Sequence, residues 1–253
     1  MGQLSLVPEP RAVLPEVIDL RCCDVREMLA DAERRLGSDF FGADLVIADA
    51  PWGEYNNDPG TANPENSYVC RSLEEIGGDL EAAAGICGTA RLVSWHCWPL
   101  LVEGIAAACD PAGRPTSWDR VLRPAGWRPV TGGSWTKADQ QGVGHHWLGR
   151  NEPALVYVRT VNGEAPYLDR SWDLGNAHVS EPGAHSAKPE DWHAAMIRRW
   201  VPPGGLVVDL YAGLGGVARA VLAAGEGRRY LGAEISPERH AKAVGLTAQR
   251  RAA

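Results

Sequence analysis

No run in this 253-residue sequence approaches the roughly 18 consecutive apolar residues that a bilayer-crossing helix needs, which excludes an integral helical membrane protein. Met1 to Val17 lacks a basic start, a continuous apolar stretch and a small-residue cleavage site, so it does not read as a secretory signal. These two absences lead to the expectation of a cytoplasmic chain. Cysteine pairs at metal-ligand spacing are also missing. Cys22, Cys23, Cys70, Cys87, Cys97 and Cys109 form no CxxC unit, and they are read as free buried thiols with no metal expected. His96-Cys97 and His145-His146 have no partners at zinc-like spacing.

Excess positive charge is the last absence. The chain carries 25 Lys and Arg against 32 Asp and Glu, a net −7, so its affinity for a polyanion cannot come from overall charge. A local basic cleft is still open to it, because Arg114, Arg120, Arg123 and Arg128 cluster, as do Arg150, Arg198 and Arg199.

The length and the 45% hydrophobic content suit one α/β domain spanning 1–253, and no internal repeat is visible. The pattern predicts a strand near Val17 to Leu20, a helix from Val25 to Leu36 and a buried strand from Asp44 to Ala48. An amphipathic stretch near Leu73 to Cys87, a strand from Arg91 to Trp95 and a helix from Leu100 to Cys109 follow. Strands at Trp127 to Trp135 and Ala154 to Arg159 read as an antiparallel edge pair. The last block alternates helix Pro189 to Trp200, strand Leu206 to Tyr211, helix Val217 to Ala224, strand Tyr230 to Glu234 and helix Ser236 to Arg250. Such alternation implies a mainly parallel sheet with helices on both faces.

Two segments carry chemistry. Asp209-Leu210-Tyr211-Ala212-Gly213-Leu214-Gly215-Gly216 lies where a strand passes to a helix, so its glycines let a ligand approach the backbone. Glu234, at the end of the next strand, can accept hydrogen bonds from two ribose hydroxyls. Gly213-x-Gly215-x-x-Ala218 with Glu234 also fits a dinucleotide fingerprint, and it fits a plain tight turn with a solvated strand end.

The second segment is Asp49-Ala50-Pro51-Trp52, directly after an apolar strand. An exocyclic amine on a base is a poor nucleophile, because its lone pair is delocalised into the ring. The Asp49 carboxylate and the Ala50 carbonyl could accept its two N–H bonds and aim the lone pair. Pro51 biases Ala50 toward an extended backbone, and Trp52 offers a face on which an extruded base could stack. An ordinary Asp-Pro turn with a core tryptophan is the alternative.

With His185-Ser186-Ala187-Lys188-Pro189 between them, these motifs resemble the beta-order (permuted) DNA adenine-N6 methyltransferases and the MT-A70-like adenine methyltransferases, which place the catalytic motif before the cofactor loop. The likeness runs from about Cys23 to Ala243. It implies a Rossmann-like S-adenosylmethionine-dependent methyltransferase fold, with a mainly parallel seven-stranded sheet and an antiparallel edge hairpin. Asp49, Ala50, Pro51 and Trp52 would then form the catalytic and target-base motif. Asp209, Tyr211, Gly213 and Gly215 would lie beneath the methionine part of S-adenosyl-L-methionine, Ser186 and Lys188 would meet its carboxylate, Glu234 its ribose and Asp24 its adenine.

Trp135-Thr136-Lys137 and Arg150-Asn151-Glu152 are similar to family segments that line the cleft, although the compressed Arg150 to Glu152 spacing leaves the roles of both open. The segments 53–70 and 111–150 would be substrate-recognition loops. The family usually has proline where this chain has Ala50; the group needed there is a carbonyl, so reduced rigidity with retained chemistry is expected. DNA is the favoured partner, with RNA open, and a homodimer or a methyltransferase-like partner subunit is also open. A cytosine-5 mechanism would need an adjacent Pro-Cys, which Cys97-Trp98-Pro99 does not supply. Cytosine-N4 methylation, a catalytically silent methyltransferase-like subunit and an NAD-dependent oxidoreductase remain as alternatives.

Overall fold

The computed structural model describes residues 18–36, 42–51, 71, 73–95, 122, 125–138, 151–171, 173–180 and 187–252. Eight strands form one sheet: β1 (Ile18–Cys22), β2 (Leu45–Ala48), β3 (Ala90–Trp95), β4 (Arg128–Lys137), β5 (Asn151–Arg159), β6 (Ala177–Ser180), β7 (Leu206–Asp209) and β8 (Arg229–Glu234). The helices are α1 (Val25–Leu36), α2 (Leu73–Gly85), α3 (Glu190–Trp200), α4 (Gly216–Ala224) and α5 (Pro237–Ala252). The helix expected over Leu100 to Cys109 and the loop 53–70 lie outside the described residues.

The strand order is β1-β8-β7-β2-β3-β5-β4-β6. β1, β8, β7, β2 and β3 are parallel, whereas β5 runs antiparallel to both β3 and β4. β6 pairs parallel with β4 and adds an eighth strand to the seven expected, so the antiparallel β4–β5 pair is not at the sheet edge. Within 111–150, Arg128–Lys137 is thus an interior strand of the sheet, where a strand over Trp127 to Trp135 is expected from the sequence. Non-local contacts hold β6 in place: the Trp135 indole N–H donates to Ser180 Oγ at 3.0 Å, and His178 stacks on Trp192 with ring centroids 5.5 Å apart.

The central strand β2 is apolar and buried at every position because both faces of the sheet are covered there. In β2, Val46 and Ala48 face a core shared with α1 and α2, built around Met28, Leu29, Ile76 and Leu80. Leu45 and Ile47 face the opposite core, where Trp192, Met196, Ile197, Val217 and Val221 come from α3 and α4. This period of two is the pleat expressed as two separate cores.

Helix starts are set at the sheet's carboxyl edge. Asp24 caps α1, its Oδ1 accepting the Arg26 amide at 2.8 Å, and Ser236 Oγ accepts the Arg239 amide at the start of α5. Of the described cysteines only Cys87 is buried; Cys22 is exposed and Cys23 half-buried, so the expectation of buried thiols fails at the end of β1, an outer strand whose residues all keep some exposure. Among the described residues no helix is long and apolar enough to cross a membrane.

Candidate active site

From β7 the chain passes to β8 on one side of the sheet, while β2 passes to β3 on the other. The strand order thus reverses between β7 and β2, and the crevice outside their carboxyl ends is where open α/β sheets bind ligands. Ile47 of β2 is in register with Asp209 of β7, and the Leu210 amide donates to the Ile47 carbonyl at 3.0 Å. Asp49 and the Asp209–Gly216 loop therefore leave the sheet side by side, although far apart in sequence.

Across this edge the strand ends present, in order, Asp24 after β1, Glu234 on β8, Asp209 on β7 and Asp49 after β2. Antiparallel β5 brings its first residues to the same edge, so Glu152 faces Trp135 near the end of β4, close to Lys137. All the described candidate residues thus share one edge. Trp52 and Ser186 lie outside the described residues. Arg198 and Arg199 sit at the end of α3 that leads into the start of β7, on the opposite edge; they do not join a basic cleft around Asp49.

The glycine loop divides its labour. Gly213 has φ +53° with open space where a Cβ would stand, whereas Gly215 has φ +74° and a Cβ there would lie 3.2 Å from Ala243 Cβ and Thr247 Oγ1 of α5. Gly213 thus leaves room over the loop, and Gly215 allows the close approach of α4 and α5. Glu234 is buried and holds the loop, accepting the Gly213 amide at 2.9 Å and the Ser236 amide at 2.8 Å. A carboxylate has about four lone-pair positions, so it retains capacity for hydroxyl donors.

Asp209 is 2% exposed and accepts from the Tyr230 hydroxyl at 3.1 Å and the Tyr211 amide at 3.3 Å. Burial pushes its carboxyl up to about 7, with Asp49 and Glu234 adding to the rise and the two donors opposing it.

Asp49 is held by a cation. Its Oδ2 lies 2.7 Å from Lys188 Nζ, which is also 3.0 Å from Glu152 Oε2; Glu152 in turn pairs with Lys137. The Lys188 ammonium stands 5.5 Å from the centre of the Trp95 ring, whose N–H donates to His193 Nε2 at 3.1 Å. Burial lowers Lys188, but Asp49 and Glu152 outweigh it and hold the ammonium above its usual range. Burial likewise pushes Glu152 up, and the two lysines bring it below the ordinary carboxylate range. For Asp49 burial prevails over Lys188 and its carboxyl is raised, although the side chain keeps 34% of its surface exposed. His193 is buried and neutral, lowered to about 3 by desolvation and then by Lys188 and His178, so it accepts the Trp95 N–H.

Ala50 is buried against the α1/α2 core, and the Pro51 carbonyl accepts the Arg71 amide at 2.9 Å. The Asp24 carboxylate is in an ion pair with Arg71 besides capping α1. Sequence reasoning misses Arg71 and Asp79, since each is an ordinary charged residue whose partners are distant in the chain. Asp79 inside an apolar helix face is the one available signal.

No protein-family model matches this sequence, and no curated protein matches it. Solved structures do. M1.HpyAVI in complex with SAM superimposes with a TM-score of 0.63 at 15% identity, covering 93% of this chain and 99% of that one. TTHA0409 from Thermus thermophilus, described as a putative DNA modification methylase and solved with S-adenosyl-L-methionine, gives 0.60 at 17% identity, covering 92% and 94%. The cytosine-N4-specific PvuII DNA methyltransferase gives 0.60 at 12% identity, covering 91% and 86%. The chain shares the Rossmann-like α/β fold of these three proteins.

Proposed function

We propose that this chain is an S-adenosylmethionine-dependent methyltransferase acting on an exocyclic amine of a nucleic-acid base, and more finely on adenine N6 in DNA. One observation carries the reading: Asp49 and the Asp209–Gly216 loop flank the same topological switch point. The residues present fit the cofactor. Glu234 retains acceptor capacity for ribose hydroxyls, Gly213 leaves the loop open, and Lys188 supplies a cation at the same edge.

When bound, S-adenosylmethionine supplies an electrophilic methyl group. Asp49, whose protonation Lys188 opposes, would accept one N–H of the target amine and the Ala50 carbonyl the other, which would localise the amine lone pair toward the methyl group. The partly exposed Asp49 suits a base that enters from outside, extruded from any duplex. Trp52, next in the chain, supplies the stacking face. The preference for adenine rests on the Asp-led, Trp-ended motif, because the fold neighbours include a cytosine-N4-specific enzyme. DNA as substrate draws support from the DNA methylases among those neighbours.

The NAD-dependent reading accounts for the glycine loop and Glu234 but leaves the Asp49–Lys188–Glu152 cluster without a role. Calorimetric titration of the full chain with S-adenosylmethionine and with NAD separates the two. Binding of the sulfonium without NAD is expected; NAD binding without the sulfonium overturns the proposal.

A further inference from the structure

Arg71 joins three parts of the cleft at once. Its backbone amide donates to the Pro51 carbonyl at 2.9 Å, and its guanidinium pairs with Asp24 and, 3.1 Å away, with Asp79 Oδ2. Asp79, fully buried on α2, accepts the Tyr211 hydroxyl at 2.7 Å and the Arg26 guanidinium at 2.8 Å. Arg71 is thus bonded directly to the Asp49-Ala50-Pro51 turn and to Asp24, and through one carboxylate to Tyr211 of the glycine loop. Its side chain is only 12% exposed, so the junction is internal to the site.

A guanidinium holds two carboxylates in one plane through a rigid fork of donors, a fixed geometry that the point charge of an ammonium does not impose. Arg26 reaches the same Asp79 from outside with a side chain 53% exposed, and its guanidinium donates onward to the Glu75 carbonyl on α2, away from the Pro51 turn. Asp79 therefore has charge compensation without Arg71. What Arg71 adds is the connection between the two halves of the cleft.

We infer that Arg71 is a positioning residue that couples occupancy of the cofactor half, at Asp24 and Tyr211, to the geometry of the target-facing Asp49-Ala50-Pro51 turn. This inference rests on the methyltransferase reading. A ligand that orders Asp24 and Tyr211 fixes the guanidinium, and the Arg71 amide then fixes the Pro51 carbonyl. Coupling of this kind is reciprocal, so a base held at the turn tightens the cofactor by the same factor.

The test is calorimetric binding of S-adenosylhomocysteine to the full chain with and without a saturating mixed-sequence DNA duplex, for wild type, Arg71→Met, Arg71→Lys and Arg26→Gln. The duplex is expected to tighten S-adenosylhomocysteine about tenfold in wild type and in Arg26→Gln, and by less than about twofold in both Arg71 variants. Arg71→Lys keeps the charge next to buried Asp79, so it reports even if Arg71→Met does not fold. A merely structural role would lower melting temperature in the Arg71 and Arg26 variants alike and leave the binding ratio unchanged. An unchanged ratio in Arg71→Lys, or a wild type that binds both ligands independently, overturns the inference alone. A wild type that binds no S-adenosylhomocysteine overturns the proposed function and this inference with it.

Discussion

Lys188 Nζ lies 2.7 Å from Asp49 Oδ2, a contact between residues 139 positions apart that places the cation of the His185–Pro189 motif on the carboxylate of the Asp49–Trp52 motif. The family resemblance assigns Lys188 to a cofactor carboxylate. The structure adds an electrostatic role, because burial raises Asp49 and the lysine opposes its protonation.

Removing that charge should therefore move the acid limb of activity. For Lys188→Met the loss of the opposing charge raises Asp49 further, so methyl transfer at saturating cofactor should fall off at higher pH than in wild type, with at least about a tenfold loss near neutrality. Lys188→Arg should restore most of the acid-side rate. A pH–rate profile of the same shape and position in Lys188→Met would show that Asp49 does not depend on this lysine.

The two glycines should separate packing from ligand access. Gly215→Ala adds a Cβ 3.2 Å from Ala243 and Thr247 at a left-handed φ, so it should lower stability by about 2 kcal/mol or more. Gly213→Ala meets open space and costs about 1 kcal/mol of backbone strain, yet it should weaken cofactor binding the more. Thermal melts paired with calorimetry check both, and equal melting losses would refute this division.

Asp209 should make stability fall as pH rises. Its folded value of about 7 exceeds the usual aspartate value near 4, so between those values the folded chain keeps a proton that the unfolded chain has lost. The contribution is favourable below about pH 4, declines by up to about 1.4 kcal/mol per pH unit through the window, and is flat above it. Asp209→Asn removes this dependence, so its stability relative to wild type should improve from pH 4 to pH 7. Parallel denaturation midpoints across that range would contradict the assignment.

Much of this architecture is legible in the sequence because buried parallel strands are short, mostly apolar runs ending at the candidate site residues: β2 ends before Asp49, β7 on Asp209 and β8 on Glu234. α1 is found at Val25–Leu36 as its periodicity predicts, with Asp24 as its cap. β6 is hidden because Ala177-His178-Val179-Ser180 has no apolar run; it is fixed by Trp135, Trp192 and its pairing with β4, all distant in sequence. The Arg71–Asp79–Tyr211 junction is hidden for the same reason, since polar networks have no periodicity. Two tryptophans show the point from the other side: Trp95 and Trp135 are essentially fully buried, and their positions in the cleft wall follow from strand register rather than composition.

The most direct test of the central claim is methyl transfer itself. The full chain is incubated with isotopically labelled S-adenosylmethionine and mixed-sequence DNA and RNA, and the nucleic acid is then digested and analysed by nucleoside mass spectrometry alongside Asp49→Ala. Labelled N6-methyladenine in DNA is expected, with a loss of about a hundredfold or more in Asp49→Ala. Label in N4-methylcytosine or in RNA would correct the substrate; label that persists undiminished in Asp49→Ala, or its complete absence from the wild-type reaction, would contradict the account.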